Sequence, residues 1–184
     1  VHCRTWNMAR KMKIKETNLS LKNRKMLLTI NNPQKQETTP RGFLFEEVAL
    51  NDALNGNEQA KIYIINKVKD YINNSTIIKG KTSAYYCFSL EVGKQGQTPH
   101  LHIFFQFENP RVGNTIKGVF PTSHIDYCGG SNTSIKDYVF KTGKKWEGSE
   151  KEETRVEGTQ YENGELPEER GQGSRSDLDT IKEL

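Results

Sequence analysis

Cysteine is scarce in this 184-residue chain, and its three copies, Cys3, Cys87 and Cys128, form no CxxC pair. That spacing excludes a disulfide framework and a cysteine-rich zinc site, and it suits a reducing compartment. Long apolar runs are missing too. No stretch approaches the roughly 18–20 residues a membrane-spanning helix needs, and the basic N-terminal segment is not followed by the apolar core of a secretory leader. The expectation is a soluble intracellular protein with no membrane partner. The P-loop pattern G-x-x-x-x-G-K-[ST] is also absent, since "GKQGQT" (residues 93–98) does not fit it, so no ATP-driven motor is expected within the chain. Histidine is sparse as well. Of four, two stand one residue apart in "TPHLHIFFQF", Thr98 to Phe107.

Charge is plentiful but uneven. Residues 1–25 carry eight basic side chains against one acidic, residues 26–146 fourteen against ten, and residues 147–184 five against twelve. The length suits one domain with tails: a basic, flexible N-terminal arm over 1–25, a domain over 26–165, and a linker over 166–184. A basic arm suits phosphate backbones and equally a solvated tail, so it decides nothing alone.

Periodicity places the elements. "KMLLTINNP" reads as a strand stopped by Asn-Asn-Pro. From Phe43 to Asn73 the pattern is helical, with Ala60, Ile64, Val68 and Ile72 every fourth residue and "NGN" (residues 55–57) dividing two helices. "SAYYCFSLEV" and "HLHIFFQF" read as a hairpin. Asn109-Pro110 is expected to end that second strand and to lead into a short helix reaching Val119. "SHIDY" is a further strand, "SNTSIKDYVFKTGKK" a helix capped by Ser134 and stopped at Gly143, Thr154 to Tyr161 a last strand, and a final helix begins at Asp177. The order predicts an α+β fold: a central antiparallel sheet of about five strands with helices on one face, of the split-βαβ kind.

Alternation divides the histidine strand. His100, His102, Phe104 and Gln106 share one side, and the uniformly apolar Leu101, Ile103, Phe105 and Phe107 the other. In a hairpin Glu91 faces outward beside His100. Two imidazoles and a carboxylate then converge on the open face, a set that suits Mn²⁺, Mg²⁺ or Zn²⁺. The plainer reading is two polar residues on a solvated strand, and the carboxylate on the same face favours the site. In "SIKDYVFK", Ile135 and Val139 would bury one helical stripe while Tyr138 and Lys141, three apart, share a more exposed one. By itself that tyrosine is an ordinary helix residue. His124 reads as a structural residue on its strand, and Trp146 as packing under the acidic tail.

Taken in order, "LLTINNP", Glu91 with "HLH" and "DYVFK" resemble the three motifs of rolling-circle replication initiators, more narrowly the HUH endonuclease domain of Rep proteins from small circular single-stranded DNA viruses and related plasmids. The resemblance runs from Lys25 to the C-terminus, where "GQGSRSDL" looks like the segment leading to a helicase domain. It implies that Glu91, His100 and His102 bind Mn²⁺ or Mg²⁺, that Tyr138 attacks single-stranded origin DNA to leave a 5′-phosphotyrosine and a free 3′-hydroxyl, and that Lys141 assists near the phosphate. It implies DNA contact by Asn31 and Asn32; Arg111, Lys117, Lys144 and Lys145 are further candidate contacts. It also implies a covalently attached helicase domain, assembly through that domain, and action in a host nucleus or a bacterial cytoplasm. The segment Phe43 to Ile78 is longer than the family pattern suggests. Two rivals remain: an origin-binding module with an RNA-recognition-like sheet and no catalysis, and a metal hydrolase that uses water.

Overall fold

The structure is a computed structural model that describes residues 17–35, 37–78, 84–93, 97–150 and 154–169. The expected N-terminal arm up to residue 16 and the helix expected from Asp177 lie outside the described residues. Five strands, β1 (Lys22–Asn31), β2 (Ala84–Val92), β3 (Pro99–Val112), β4 (His124–Tyr127) and β5 (Tyr161–Asn163), form one antiparallel sheet in the order β4-β1-β3-β2-β5. Among the described residues four helices accompany them: α1 (Glu47–Leu54), α2 (Glu58–Asn74), α3 (Gly113–Val119) and α4 (Asn132–Phe140). Because β3 lies between β1 and β2, the helical crossover skips a strand, as expected of a split-βαβ sheet.

Register turns the alternation into rungs. Met26, Phe105 and Tyr86 pair across three strands, as do Leu28, Ile103 and Phe88, and then Ile30, Leu101 and Leu90. All nine are buried, and they meet Leu50 and Ala53 of α1, Ile64, Val68 and Ile72 of α2, and Ile116 and Val119 of α3. Each such side chain contributes about 1.5–3 kcal/mol by leaving water. The helix break falls at Asn55–Asn57: Gly56 has φ 87°, a left-handed residue just past α1, and the Asn57 side chain accepts from Ala60 N at 3.1 Å to start α2.

Four local expectations are corrected. β1 begins at Lys22, so its first residues belong to the sheet and not to an arm. Pro110 does not end β3: the register against β1 jumps from Lys25↔Gln106 to Asn23↔Arg111, a bulge that leaves the proline without a ladder partner on β1 while Phe107 still pairs with Ala84 of β2. The cap of α4 is Ser131, whose hydroxyl accepts from Ser134 N at 3.1 Å, and the helix ends at Phe140 rather than at Gly143. The last strand is Tyr161–Asn163; Arg155 makes only an isolated bridge to Glu91.

The second face of the sheet is partly covered. Ile135 and Val139 of α4 pack on Tyr85, Cys87 and Phe104, forming a small core of their own. This cluster sets α4 across the strands. Its first turn lies near the rung of Lys25, Gln106 and Tyr85, and its end lies near the histidines. Among the described residues no helix is long and apolar enough to cross a membrane.

Candidate active site

Two rungs carry the polar cluster. One is Asn31, His100 and Glu91; the next is Thr29, His102 and Ser89. Glu91 pairs in register with His100, as the hairpin predicts, yet its carboxylate leans back along the sheet. Its Oε2 lies 3.1 Å from His102 Nε2 and 3.2 Å from Lys141 Nζ, while Oε1 accepts from the Thr154 hydroxyl at 2.8 Å. Burial alone would raise this carboxyl, but His102, the Lys141 ammonium and Thr154 outweigh it and bring it down to about 2. Glu91 is therefore ionised under all ordinary conditions. Its Oε2 is buried and makes no aligned hydrogen bond, only the two ionic contacts.

His100 turns the other way. Its Nδ1 lies 2.6 Å from Asn31 Oδ1, and the two imidazole centroids are 6.2 Å apart. Burial, followed by the neighbouring His102, lowers the His100 pKa and favours the neutral ring. His102 Nδ1 lies 3.2 Å from the Thr29 hydroxyl. Both Nδ1 atoms are thus engaged by β1, and His102 Nε2 is the atom that meets Glu91.

Tyr138 stands over this cluster. Its ring meets His102 edge-on at 5.6 Å and Trp146 edge-on at 5.7 Å. Burial, and then the charges of Glu91 and Asp126, raise its hydroxyl pKa, so the resting phenol is protonated. Lys141 departs from expectation. Helix α4 has ended, Lys141 adopts a left-handed φ of 52°, and its side chain folds back beneath Tyr138. Only 2% exposed, its ammonium lies 3.7 Å from the Tyr138 ring centroid and donates to Tyr138 O at 2.7 Å. A non-glycine residue in this conformation costs roughly 1–2 kcal/mol, which the ion pair with Glu91 and the cation–π contact help to offset.

The remaining predicted residues scatter. Asn32 has φ 48° and closes the turn after β1 through Pro99 O, at 2.8 Å. Arg111 lies at the opposite end of β3 from His100, with its guanidinium 5.8 Å from the Phe107 ring. Lys117 donates to Ser123 O, and His124 is exposed beside Asp126 at 3.2 Å. Lys144 and Lys145 are exposed on the turn that carries Trp146, so these two border the site. Sequence reasoning missed Thr29 and Thr154. Thr29 shares Asn31's parity on β1, a usable signal; Thr154 has none.

The donor set is chemically suited to a divalent cation: a carboxylate held ionised, two imidazoles oriented through their Nδ1 atoms, and a buried Oε2 that already attracts the Lys141 ammonium. As the side chains stand, Glu91 and His102 are together and His100 is apart. Among the described residues no group of three or more His, Cys, Asp and Glu side chains is gathered closely enough to hold a metal ion. Set against known proteins, the chain matches no protein-family model and no curated protein sequence.

Proposed function

We propose that this chain is a metal-dependent DNA nicking and rejoining domain of the HUH Rep kind, acting on single-stranded DNA at a replication origin. The observation that carries this reading is the convergence of Tyr138, from a separate helix, on His102 at 5.6 Å, over the Glu91–Lys141 pair. Glu91, His102 and His100 would hold Mn²⁺ or Mg²⁺. When bound, that cation supplies Lewis-acid polarisation of the scissile phosphate.

The chain's own residues do the rest. The Tyr138 oxygen forms a bond to phosphorus and the P–O3′ bond breaks, so the 5′-phosphate ends on tyrosine and the proton lost by the phenol is balanced by one gained at the 3′-oxygen. Attack by a 3′-hydroxyl reverses both changes and rejoins a strand. The Lys141 ammonium, lying against the ring face and Glu91, would offset negative charge that develops near the phosphate. Trp146 meets the same ring edge-on, with the Lys141 ammonium 5.6 Å from its own ring. Such a domain would act beside a covalently linked helicase, through which it would assemble, in a host nucleus for a virus or in bacterial cytoplasm for a plasmid.

The rival reading, a DNA-binding module without chemistry, takes the Glu91–Lys141 pair as a closed structural ion pair. Incubating the chain with labelled candidate origin oligonucleotides and Mn²⁺ separates the two. Nicking predicts a denaturation-resistant protein–DNA adduct that disappears in Tyr138→Phe. A nick without any adduct points to attack by water, and binding with neither leaves the binding module.

A further inference from the structure

At the opposite end of α4 from Tyr138 lies a cavity of about 360 Å³, bordered by Arg24, Lys25, Gln106, Asn132 and Glu169. Its polar groups are unusual in two ways. Asn132 is only 3% exposed, and its Oδ1 has no hydrogen-bond partner, although its Nδ2 donates to Pro167 O at 2.8 Å. Gln106 Oε1 is likewise buried and unpartnered. Two residues that border one cavity therefore carry buried amide carbonyls with no donor to satisfy them.

Beside them is an anion position that is already filled. The Asn132 backbone N–H, in the first turn of α4, donates to Glu169 Oε1, and Lys25 Nζ lies 3.1 Å from Glu169 Oε2. A helix N-terminus with an ammonium alongside is a phosphate cradle in charge and geometry. Glu169 reaches it from a segment joined to the domain mainly through Leu166 and Pro167, and its side chain is 48% exposed. Its carboxyl is held below the usual range, first by the Asn132 N–H and then by Lys25.

We propose that this cavity is a nucleotide subsite for the single-stranded DNA substrate, in which an amino-bearing base satisfies the Gln106 and Asn132 carbonyls and its phosphate displaces the Glu169 carboxylate from Lys25 and the α4 N-terminus. Cytosine offers an N4 amino group as donor, whereas thymine turns a carbonyl to the same place, so the subsite discriminates against thymine. Gln106 lies on the same face of β3 as His102, four residues on, which is about 13 Å at the rise of a strand. A strand crossing the face can occupy both places, so α4 would read a base at one end and present its tyrosine at the other. Glu169 acts as a built-in competitor.

The inference rests on the DNA-nicking reading, and its test is binding in chelator, where metal-assisted cleavage is suppressed. Fluorescence anisotropy with short oligo-dC and oligo-dT should show dC bound about fivefold more tightly by the wild-type chain. Gln106→Met should abolish that preference while keeping its melting temperature. Glu169→Gln should tighten both complexes about threefold. Equal affinity for dC and dT, a preference that persists in Gln106→Met, or no change in Glu169→Gln overturns the subsite. If neither oligonucleotide binds, the subsite is overturned as well. The adduct assay then decides separately whether the nicking reading stands.

Discussion

The two faces of β3 are built on different principles. On one, Leu101, Ile103, Phe105 and Phe107 are all apolar and at most 2% exposed, and each repeats its neighbours' role. On the other, the sequence changes character from rung to rung: His100 and His102 are engaged by Asn31 and Thr29, Phe104 sits under α4, and Gln106 borders a polar cavity. The first face is held by area, which is non-directional and tolerant of exchange. The second is held by single contacts of particular atoms, where a lost partner leaves a buried charge or amide exposed to nothing. Stability should therefore concentrate on one face and chemistry on the other.

The largest effects should separate the faces. Tyr138→Phe removes a hydroxyl for which no hydrogen bond is present among the described residues, so its melting temperature should match wild type while adduct formation falls by at least about a thousandfold. Phe105→Ala should do the reverse, costing about 3–5 kcal/mol in denaturant melts. Loss of adduct in Phe105→Ala at a temperature where it remains folded would blur the division.

Next comes the ion pair that joins the faces' logic. Glu91→Gln takes away the charge that Glu91 sets against the buried Lys141 ammonium, which costs about 3–5 kcal/mol. The double variant Glu91→Gln/Lys141→Met should recover much of that loss while remaining unable to form adduct. Failure of the double variant to recover would mean that the carboxylate's contacts with His102 and Thr154 outweigh its pair with Lys141 in stability.

What was legible beforehand follows the same division. Alternation on β3 was readable because a period of two depends only on the backbone, and packing merely ratified it. The order of motifs pointed to Tyr138, His100 and His102. The burial of Lys141 is not readable, because three-residue spacing implies a shared face only within a helix, and Phe140 is already the last helical residue while Lys141 turns left-handed. Pro110 misled for a kindred reason: a bulge lets proline stay within a strand. Ser131 and Ser134 are equally good caps by type, and only the backbone chooses between them. Thr154, and Glu169 at the α4 N-terminus, are contacts between distant segments and leave no local trace.

Smaller effects sharpen the comparison. Asn31→Ala releases His100 Nδ1 and with it the fixed orientation of the ring, so Mn²⁺ affinity measured by electron paramagnetic resonance should fall about 10–100-fold. Nitrogen NMR of the metal-free protein gives a second readout, since His100 should lose a single fixed tautomer. Unchanged spectra and unchanged affinity would show Asn31 to be a passive neighbour. Ser131→Ala should cost about 1 kcal/mol through the cap of α4.

The smallest effect expected is at the edge of the second face. Glu162 on β5 takes a hydrogen bond from the Tyr85 hydroxyl at 2.7 Å and an ion pair from Lys136 of α4, tying that helix to the sheet edge. Burial alone would raise its carboxyl, but Lys136 and then Tyr85 bring it below the ordinary value of 4.5. A folded-state pKa below the unfolded one means that the stabilisation is complete above about pH 4.5 and fades as pH falls through the lower, folded value. With 35% of the side chain exposed, solvent screening keeps it under about 1 kcal/mol. Glu162→Gln should thus lower stability slightly at neutral pH and converge with wild type in acid. A gap that persisted below the folded pKa would mean that Glu162 holds α4 by shape and hydrogen bonding, as the core face is held, rather than by charge.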